Sequence, residues 1–537
     1  MTPLLHAQEW GGGFQRIFQM EGPPAIGYGL GSRMGNDIDV IGDVNGDGIS
    51  DIVVGAPFAD DMYGLASGGL VEVHSGVDGS LLFSNIGSTQ AYIGETVSGV
   101  GDINYDGIPD YAFSTRSSVE IRSGAHGHLL RTIFPLFGDS FRWGLERAGD
   151  LDGDGIEDML IYGYRVQAGA TVYAYSGATG LLIWSQTGPN ETPLFNSLAS
   201  IPDLNGDGIR DCISGGETLH LGAKVIVHSG ADGSSLHTWS DPTSLLSFGK
   251  SVASVGDYDG DRMPDLAIGN PSANSGASYL GEVQVYSSAT FGLIRTFLSD
   301  DGYAGVGVSV SNAGDVDEDG IEDLATTTRG FPYQVAIFSG QTGDRLCSVS
   351  LNFNGQGPSS VVKGLGDLNH DGKLNLLVSC PYAGTPHKGE VYLYSFSDFM
   401  DSDKPSISAA SGGKVKFNLF FPRDNHHWTG TSTMRYRMLF SASGTGPTEL
   451  FGWNIPLSAD HFWQVGISGN YPRIIVPPKG TFGADGTAVV TVNFPPGLAT
   501  PLVGRTMHFS ALQYEVPAFT DSVLHGSSRA VALDILP

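Results

Sequence analysis

The sequence predicts an all-β protein: a seven-bladed β-propeller of four-stranded blades, its ring closed by an N-terminal strand, followed by a C-terminal β-sandwich. Three observations carry this reading. An acidic loop with the grammar Asp-x-Asn/Asp-x-Asp-Gly-x-x-Asp recurs seven times, starting at residues 43, 102, 150, 203, 257, 315 and 367. The starts lie 48 to 59 residues apart, a period typical of repeat architectures. Between the copies run short strands of period-two alternation separated by turn residues, with no helical stretch.

Each unit returns the same pieces in the same order. The loop leads into a short apolar strand, as at 51–55 or 265–269. A turn-rich stretch follows, then strict alternation at 69–75, 171–176, 224–229, 282–287 and 390–395. A Ser-Gly-x-x-Gly turn often leads to a third strand such as 181–184, and a fourth such as 251–255 enters the next loop. Four short strands per unit is the plan of a propeller blade. The last unit ends at its second strand near Tyr394, and its missing third-strand equivalent lies at the other end of the chain, at 14–18. These two segments are predicted to share one sheet, which joins the ends of the ring and removes a frayed blade edge.

The loop residues have the chemistry of a cation site. Calcium takes about six to eight oxygen ligands at roughly 2.3–2.6 Å. Position 1 supplies Asp43, Asp102, Asp150, Asp203, Asp257, Asp315 and Asp367, and position 3 supplies Asn45, Asn104, Asp152, Asn205, Asp259, Asp317 and Asn369. Position 5 supplies Asp47, Asp106, Asp154, Asp207, Asp261, Asp319 and Asp371. Position 7, at Ile49, Ile108, Ile156, Ile209, Met263, Ile321 and Lys373, offers a backbone carbonyl while its side chain, usually Ile, turns to apolar packing. Position 9 closes the cage with Asp51, Asp110, Asp158, Asp211, Asp265, Asp323 and Asn375. A glycine at position 6 supports the sharp turn. An EF-hand starts alike but closes with Glu at position 12 between helices; here position 12 is Val54, Phe113 or Ile161 in an apolar strand. Seven copies at fixed offsets set aside the bland reading of Asp/Asn/Gly turns. Calcium is expected over magnesium, which keeps its waters. The loops at 150, 257 and 315 carry acids at positions 1, 3, 5 and 9 and are expected to bind most tightly. Arg262 stands where glycine is expected and implies strain. The loop at 367–375 is expected to bind most weakly, with Asn369, Asn375 and Lys373 in it.

Residues 14–398 resemble the FG-GAP repeat family, the propeller of integrin alpha chains and many secreted bacterial proteins. The resemblance is carried by the seven loops, by Phe248-Gly249 and Gly55-Ala56-Pro57, and by the Gly-x-Val-x-Val-x-Ser strands. The chain departs from the pattern at Cys380-Pro381 and Gly269-Asn270-Pro271, where Gly-Ala-Pro is expected. The resemblance implies structural calcium sites on one face of the ring.

The formal charge of −29 comes from 57 acidic against 28 basic residues. The segment 405–537 carries nine Lys/Arg and seven Asp/Glu, so it is +2 and the remainder −31. The acidity therefore belongs to the propeller, which argues against nucleic acid as a partner; seven calcium ions would leave about −15. Cys212, Cys347 and Cys380 form an odd set with no framework spacing and are expected as free thiols, buried in the case of Cys212 and Cys380. No stretch is apolar and long enough to span a membrane. Residues 1–8 read as the remnant of a signal peptide, with Ala7 at the cleavage point. The domain expectation is a propeller over 9–398, a linker at 399–404 and a β-sandwich over 405–537, whose strands alternate at 414–420, 435–440, 487–494 and 529–536. Trp428, Phe451, Trp453, Phe462, Trp463 and Tyr471 read first as core and second as a carbohydrate platform, and His426-His427 as an exposed loop.

No catalytic residue is assigned: the chain has no Gly-x-Ser-x-Gly elbow, His-Glu-x-x-His helix or phosphate loop. The first functional expectation is a secreted or cell-surface calcium-binding protein that recognises an extracellular protein or glycan, with self-association also open. Two further readings stand beside it, a structural subunit of an extracellular filament or surface assembly and a carbohydrate-active enzyme on a propeller scaffold.

Overall fold

The computed structural model describes residues 12–23, 31–60, 67–136, 139–165, 169–188, 193–218, 222–241, 247–273, 281–298, 305–329, 333–350, 361–384 and 387–398, and beyond these only strands. The expectations placed on residues 1–8, on His426-His427, and on Trp428, Phe451, Phe462, Trp463 and Tyr471 lie outside the described residues. Every element is a β-strand; among the described residues there is no helix. Seven four-stranded antiparallel sheets make seven blades. The first is built from Asp37–Gly42, Asp51–Ala56, Leu70–His74 and Leu81–Ile86, in that order from inner to outer strand.

The blades are offset by one strand from the units read in the sequence. The strand that leads into an acidic loop is the inner strand of the same blade as the strand leaving it, so the loop is a hairpin within one sheet. Ring closure stands as predicted. Gly12–Glu21 is the outer strand of the seventh blade, beside Glu390–Asp398. Gly22 donates its N–H to the Gly389 carbonyl (3.0 Å).

Hydrophobic patterning explains the layering. The second strand of a blade has sheets on both sides, and Asp51–Ala56 is buried at every position. The outer strand Leu81–Ile86 has no fully buried position, as befits a solvated edge. The core lies between blades. Ile41, Val53 and Val73 of blade 1 pack on Val97, Tyr111 and Phe113 of blade 2; Met20, Leu377 and Leu393 of blade 7 pack on Ile38, Ile52 and Val54 of blade 1. Each such fully buried aliphatic side chain contributes about 1.5–3 kcal/mol.

Two seams join neighbouring blades. The inner strands of adjacent blades are not paired by backbone, so side chains take the N–H groups: Val97 and Gly99 donate to Asp37 and Asp39 (3.0 and 2.9 Å), and Val362 and Gly364 to Ser309 and Ser311 (3.2 and 3.0 Å). The second seam explains the Phe-Gly and Gly-Ala-Pro pieces. Gly35 and Gly249 are left-handed (φ 81° and 80°) and donate to the Gly55 and Gly269 carbonyls of their own blades. The Gly249 carbonyl in turn approaches Gly215 of the preceding blade so closely that a Cβ there would meet it at 2.3 Å.

The inner strands of all seven blades line one central cavity of about 660 Å³. Lys363 of blade 7 forms an ion pair there with Asp39 of blade 1 (2.6 Å). Desolvation in the channel drives Glu146 up to about 7 and Asp37 up to about 6 against the attraction of Lys363. We expect Lys363→Met to destabilise the ring by about 2 kcal/mol at neutral pH, because it strands three carboxylates. Raised carboxylates penalise the folded state only above their unfolded values, so the loss should shrink toward pH 5. Thermal melts of native and variant across pH check this, and a pH-independent difference would contradict it.

Beyond residue 398, Met400–Ser402, Gly413–Phe420, Thr487–Phe494 and Ile475–Val476 form one sheet, and a six-stranded sheet contains Thr433–Ser441, Thr506–Val516 and Val531–Leu536. The rings of Phe417 and Phe509, one from each sheet, meet at a tilt of 38° with centroids 4.7 Å apart, and both are buried. The three cysteines are buried and none is in a disulfide among the described residues. Among the described residues no helix is long and apolar enough to cross a membrane.

Candidate metal centres

Each acidic loop connects the inner and second strands of its blade, in five of the seven blades across a β-bulge. Gly42 faces Asp51, Gly101 faces Asp110, Gly149 faces Asp158 and Gly314 faces Asp323, each just past a register shift. The loop curls because positions 4 and 6 are both left-handed in all seven copies. Position 6 holds Gly48, Gly107, Gly155, Gly208, Arg262 (φ 74°), Gly320 and Gly372. Position 4 holds Gly46, Gly153, Gly206 and Gly260, but also Tyr105, Glu318 and His370 (φ 61°, 57° and 57°). The demand at position 4 was missed in the sequence, although glycine at four of its seven copies was the signal. Arg262→Gly relieves a strain of order 1 kcal/mol, partly offset by greater freedom of the unfolded chain. We expect a net gain of about 0.5 kcal/mol in a denaturant melt; a loss would mean that Arg262 makes a compensating contact.

The curl aims the side chains inward. Asp43 Oδ1 accepts the N–H groups of Gly46 and Asp47 (2.7 and 3.1 Å), and its Oδ2 accepts that of Gly48 (2.8 Å). Asn45 Oδ1 takes Asp47 N–H, and Asp47 Oδ1 takes Ile49 N–H (both 2.9 Å). Matching bonds recur around Asp150, Asp203 and Asp257. A carboxylate has about four lone-pair positions, so each keeps capacity for a cation. At Asp203, N–H bonds from Gly208, Gly206 and Asp207 hold the carboxyl below the usual range.

Position 9 differs because it is buried. Asp51, Asp110, Asp158, Asp265 and Asp323 are fully enclosed, and Asp211 nearly so. Each accepts the N–H of position 2, as from Val44 to Asp51 (2.9 Å) and Val316 to Asp323 (2.7 Å). Its other oxygen accepts an N–H from the turn between the third and outer strands: from Gly76, Gly124, Gly177, Gly230, Ser288 and Gly340, at 2.9–3.1 Å. The Ser-Gly turn noted in the sequence is thus the second wall of the loop, a long-range pairing that the loop motif does not contain. A Cβ on Gly230 would stand 1.8 Å from the Arg210 carbonyl, which explains glycine there.

Burial pushes Asp110, Asp158 and Asp265 up to about 6, and Asp323 up to about 7. Asp317 rises to about 6 through burial and the neighbouring Asp319. Oxygens of Asp150, Asp152 and Asp158 lie within 4.8 Å of one another, as do those of Asp257, Asp259 and Asp265, and of Asp315, Asp317 and Asp323. These three groups are able to hold a metal ion, and they sit in the loops with acids at positions 1, 3, 5 and 9. Where position 3 is Asn, one carboxylate fewer is present, and in the first loop Asn45 Nδ2 donates to Asp51 Oδ1 (3.3 Å), whereas Asn205 Nδ2 donates to Ser229 Oγ (3.2 Å). Position-7 side chains pack as expected for Ile156, which is buried, whereas Lys373 is exposed. In the last loop Asp367 orients Asp371 and Gly372 as elsewhere (3.0 and 2.9 Å), and Asn375 Oδ1 takes Leu368 N–H (2.8 Å). Asn369 Oδ1 and Asn375 Nδ2 are buried without a partner.

Seven four-stranded blades closed by the N-terminal strand, each with an oxygen-lined hairpin loop, define a repeat propeller with cation-type loops. Residues 35–73 and 248–286 match the family model described as FG-GAP repeat, and this propeller is an integrin-alpha-like FG-GAP propeller. Integrin alpha-4 of Xenopus laevis is 31% identical over 160 residues, covering 26% of this chain and 15% of that protein. Integrin alpha-3 of Mus musculus is 33% identical over 150 residues, with 24% and 14% covered. Integrin alpha-5 of Xenopus laevis is 28% identical over 272 residues, with 45% and 24% covered. The chain thus spans under a quarter of the length of these relatives.

Proposed function

We propose that this chain is a secreted or cell-surface, non-catalytic recognition protein in which calcium ions, up to one per blade, hold the ring in shape. Positions 1, 3, 5 and 9 of each loop supply side-chain oxygens and position 7 a carbonyl, with 367–375 the weakest site. The observation that carries the metal reading is the set of carboxylate triads drawn within 4.8 Å around an enclosed Asp, since like charges so placed are costly without a cation. When bound, the ion neutralises those charges and ties the inner, second and third strands together. Millimolar extracellular calcium suits such open loops, and likeness to integrin alpha chains supports adhesion or ligand recognition by the surfaces between the metal loops. The partner is then an extracellular protein or glycan. Binding of purified protein to arrays of matrix proteins and glycans, with calcium and with EDTA, tests this. Calcium-dependent capture without turnover of the captured glycan is expected; release of product would overturn the non-catalytic reading.

A further inference from the structure

We propose that the serine ending the third strand of each blade lends its hydroxyl oxygen to the cation of that blade, as a ligand outside the nine-residue loop. This rests on the metal reading above. The residues are Ser75, Ser123, Ser176, Ser229, Ser287, Ser339 and Ser395, one in every blade, and all are buried to within 5% exposure. Turn formation explains part of this, since Ser75, Ser229 and Ser339 accept N–H groups from Val77, Ala231 and Thr342 (3.2, 3.3 and 3.2 Å). It does not explain the rest. The glycine after the serine is lost in two blades, to Ser288 and Phe396, yet the serine stays. In blade 7 the strand runs on through Ser395 with no turn, and Ser395 stands directly across from Asn375 at loop position 9.

The geometry points to a shared cation. The hydroxyls of Ser75 and Ser339 lie 3.5 Å from the position-5 carboxylates of Asp47 and Asp319; Ser229 stands at the same distance from Asp207, with an Asn205 amide bond that the cation would have to displace. That is long for an O–H···O bond, whose usual length is about 2.7–2.8 Å. It matches two oxygens held at right angles on one calcium, which at roughly 2.4 Å each stand about 3.4 Å apart. In blade 2 the Ser123 hydroxyl is wholly buried and has no hydrogen-bond partner, although the next residue, Gly124, bonds the loop carboxylate Asp110. A buried hydroxyl in that position calls for an acceptor or a cation.

Ser339→Ala tests the proposal, since it removes one oxygen and little volume. Melting temperature is read in calcium and in EDTA, and calcium affinity by titration calorimetry. The expected result is an unchanged melt in EDTA, a smaller rise on adding calcium, and one site weakened roughly tenfold. An equal fall in both melts with native affinity would make the serine structural and overturn the proposal while leaving the metal loops standing. A native protein without any rise in calcium would overturn both. Ser339→Cys titrated with cadmium gives a second readout: a thiolate–cadmium charge-transfer band absent from the native protein, whose three cysteines serve as the control, is expected, and no band would count against it.

Discussion

Removing calcium with EDTA should lower the melting temperature of the propeller by about 10 °C or more. Each site held at about a hundredfold excess over its dissociation constant contributes about 2.7 kcal/mol, and several sites act on one cooperative ring. The pH dependence should also change sign. Folding raises Asp110, Asp158 and Asp265 to about 6 and Asp323 to about 7, above the ordinary value of 3.8. A raised carboxyl penalises the folded state once it must ionise. The penalty is absent below about pH 4 and complete above pH 7. In EDTA, acidification from pH 8 to 5 should therefore raise the melting temperature. In calcium the penalty is already neutralised, and acidification displaces the ion, so the melting temperature should fall. Two parallel curves would show that the loop carboxylates do not share a cation.

The second large effect is Asp323→Ala, expected to cost at least about 3 kcal/mol in calcium. The Asp323 carboxylate accepts N–H groups from Val316, Asp317 and Gly340 (2.7, 3.2 and 2.9 Å). Each buried donor left unpaired costs about 1–3 kcal/mol, and a ligand is lost as well. Asp323→Asn should be milder, because an amide oxygen still serves the position-2 N–H, as Asn375 does in the last blade. At position 1, Asp257→Ala should cost more than Asp367→Ala, since only the first loop packs three carboxylates within 4.8 Å. The reverse order, measured by denaturant melts in calcium, would refute grading by charge.

Much of this was legible in the sequence because it is local. Loop offsets, period-two strands such as Leu70–His74, and the pairing of the N-terminal strand with the last blade followed from spacing and phase alone. What escaped depends on contacts between distant segments. Which strands share a sheet is decided by the hairpin at each loop, so the units were cut one strand out of phase. The second wall at Gly76 or Gly340 lies some twenty residues beyond its carboxylate, and the Gly249–Gly215 seam joins two blades. Tyr105, Glu318 and His370 hide the left-handed demand at position 4, because their identities favour no turn. In the C-terminal part, alternation placed the strands but not a site.

Metal content tests the account most directly. After equilibration with calcium and removal of free ion, elemental analysis together with a crystallographic map at the seven loops should show six or seven calcium ions per chain, with the loop at 367–375 the first to empty. A chain that retains less than one ion, with the loops closed as they are here, would contradict it.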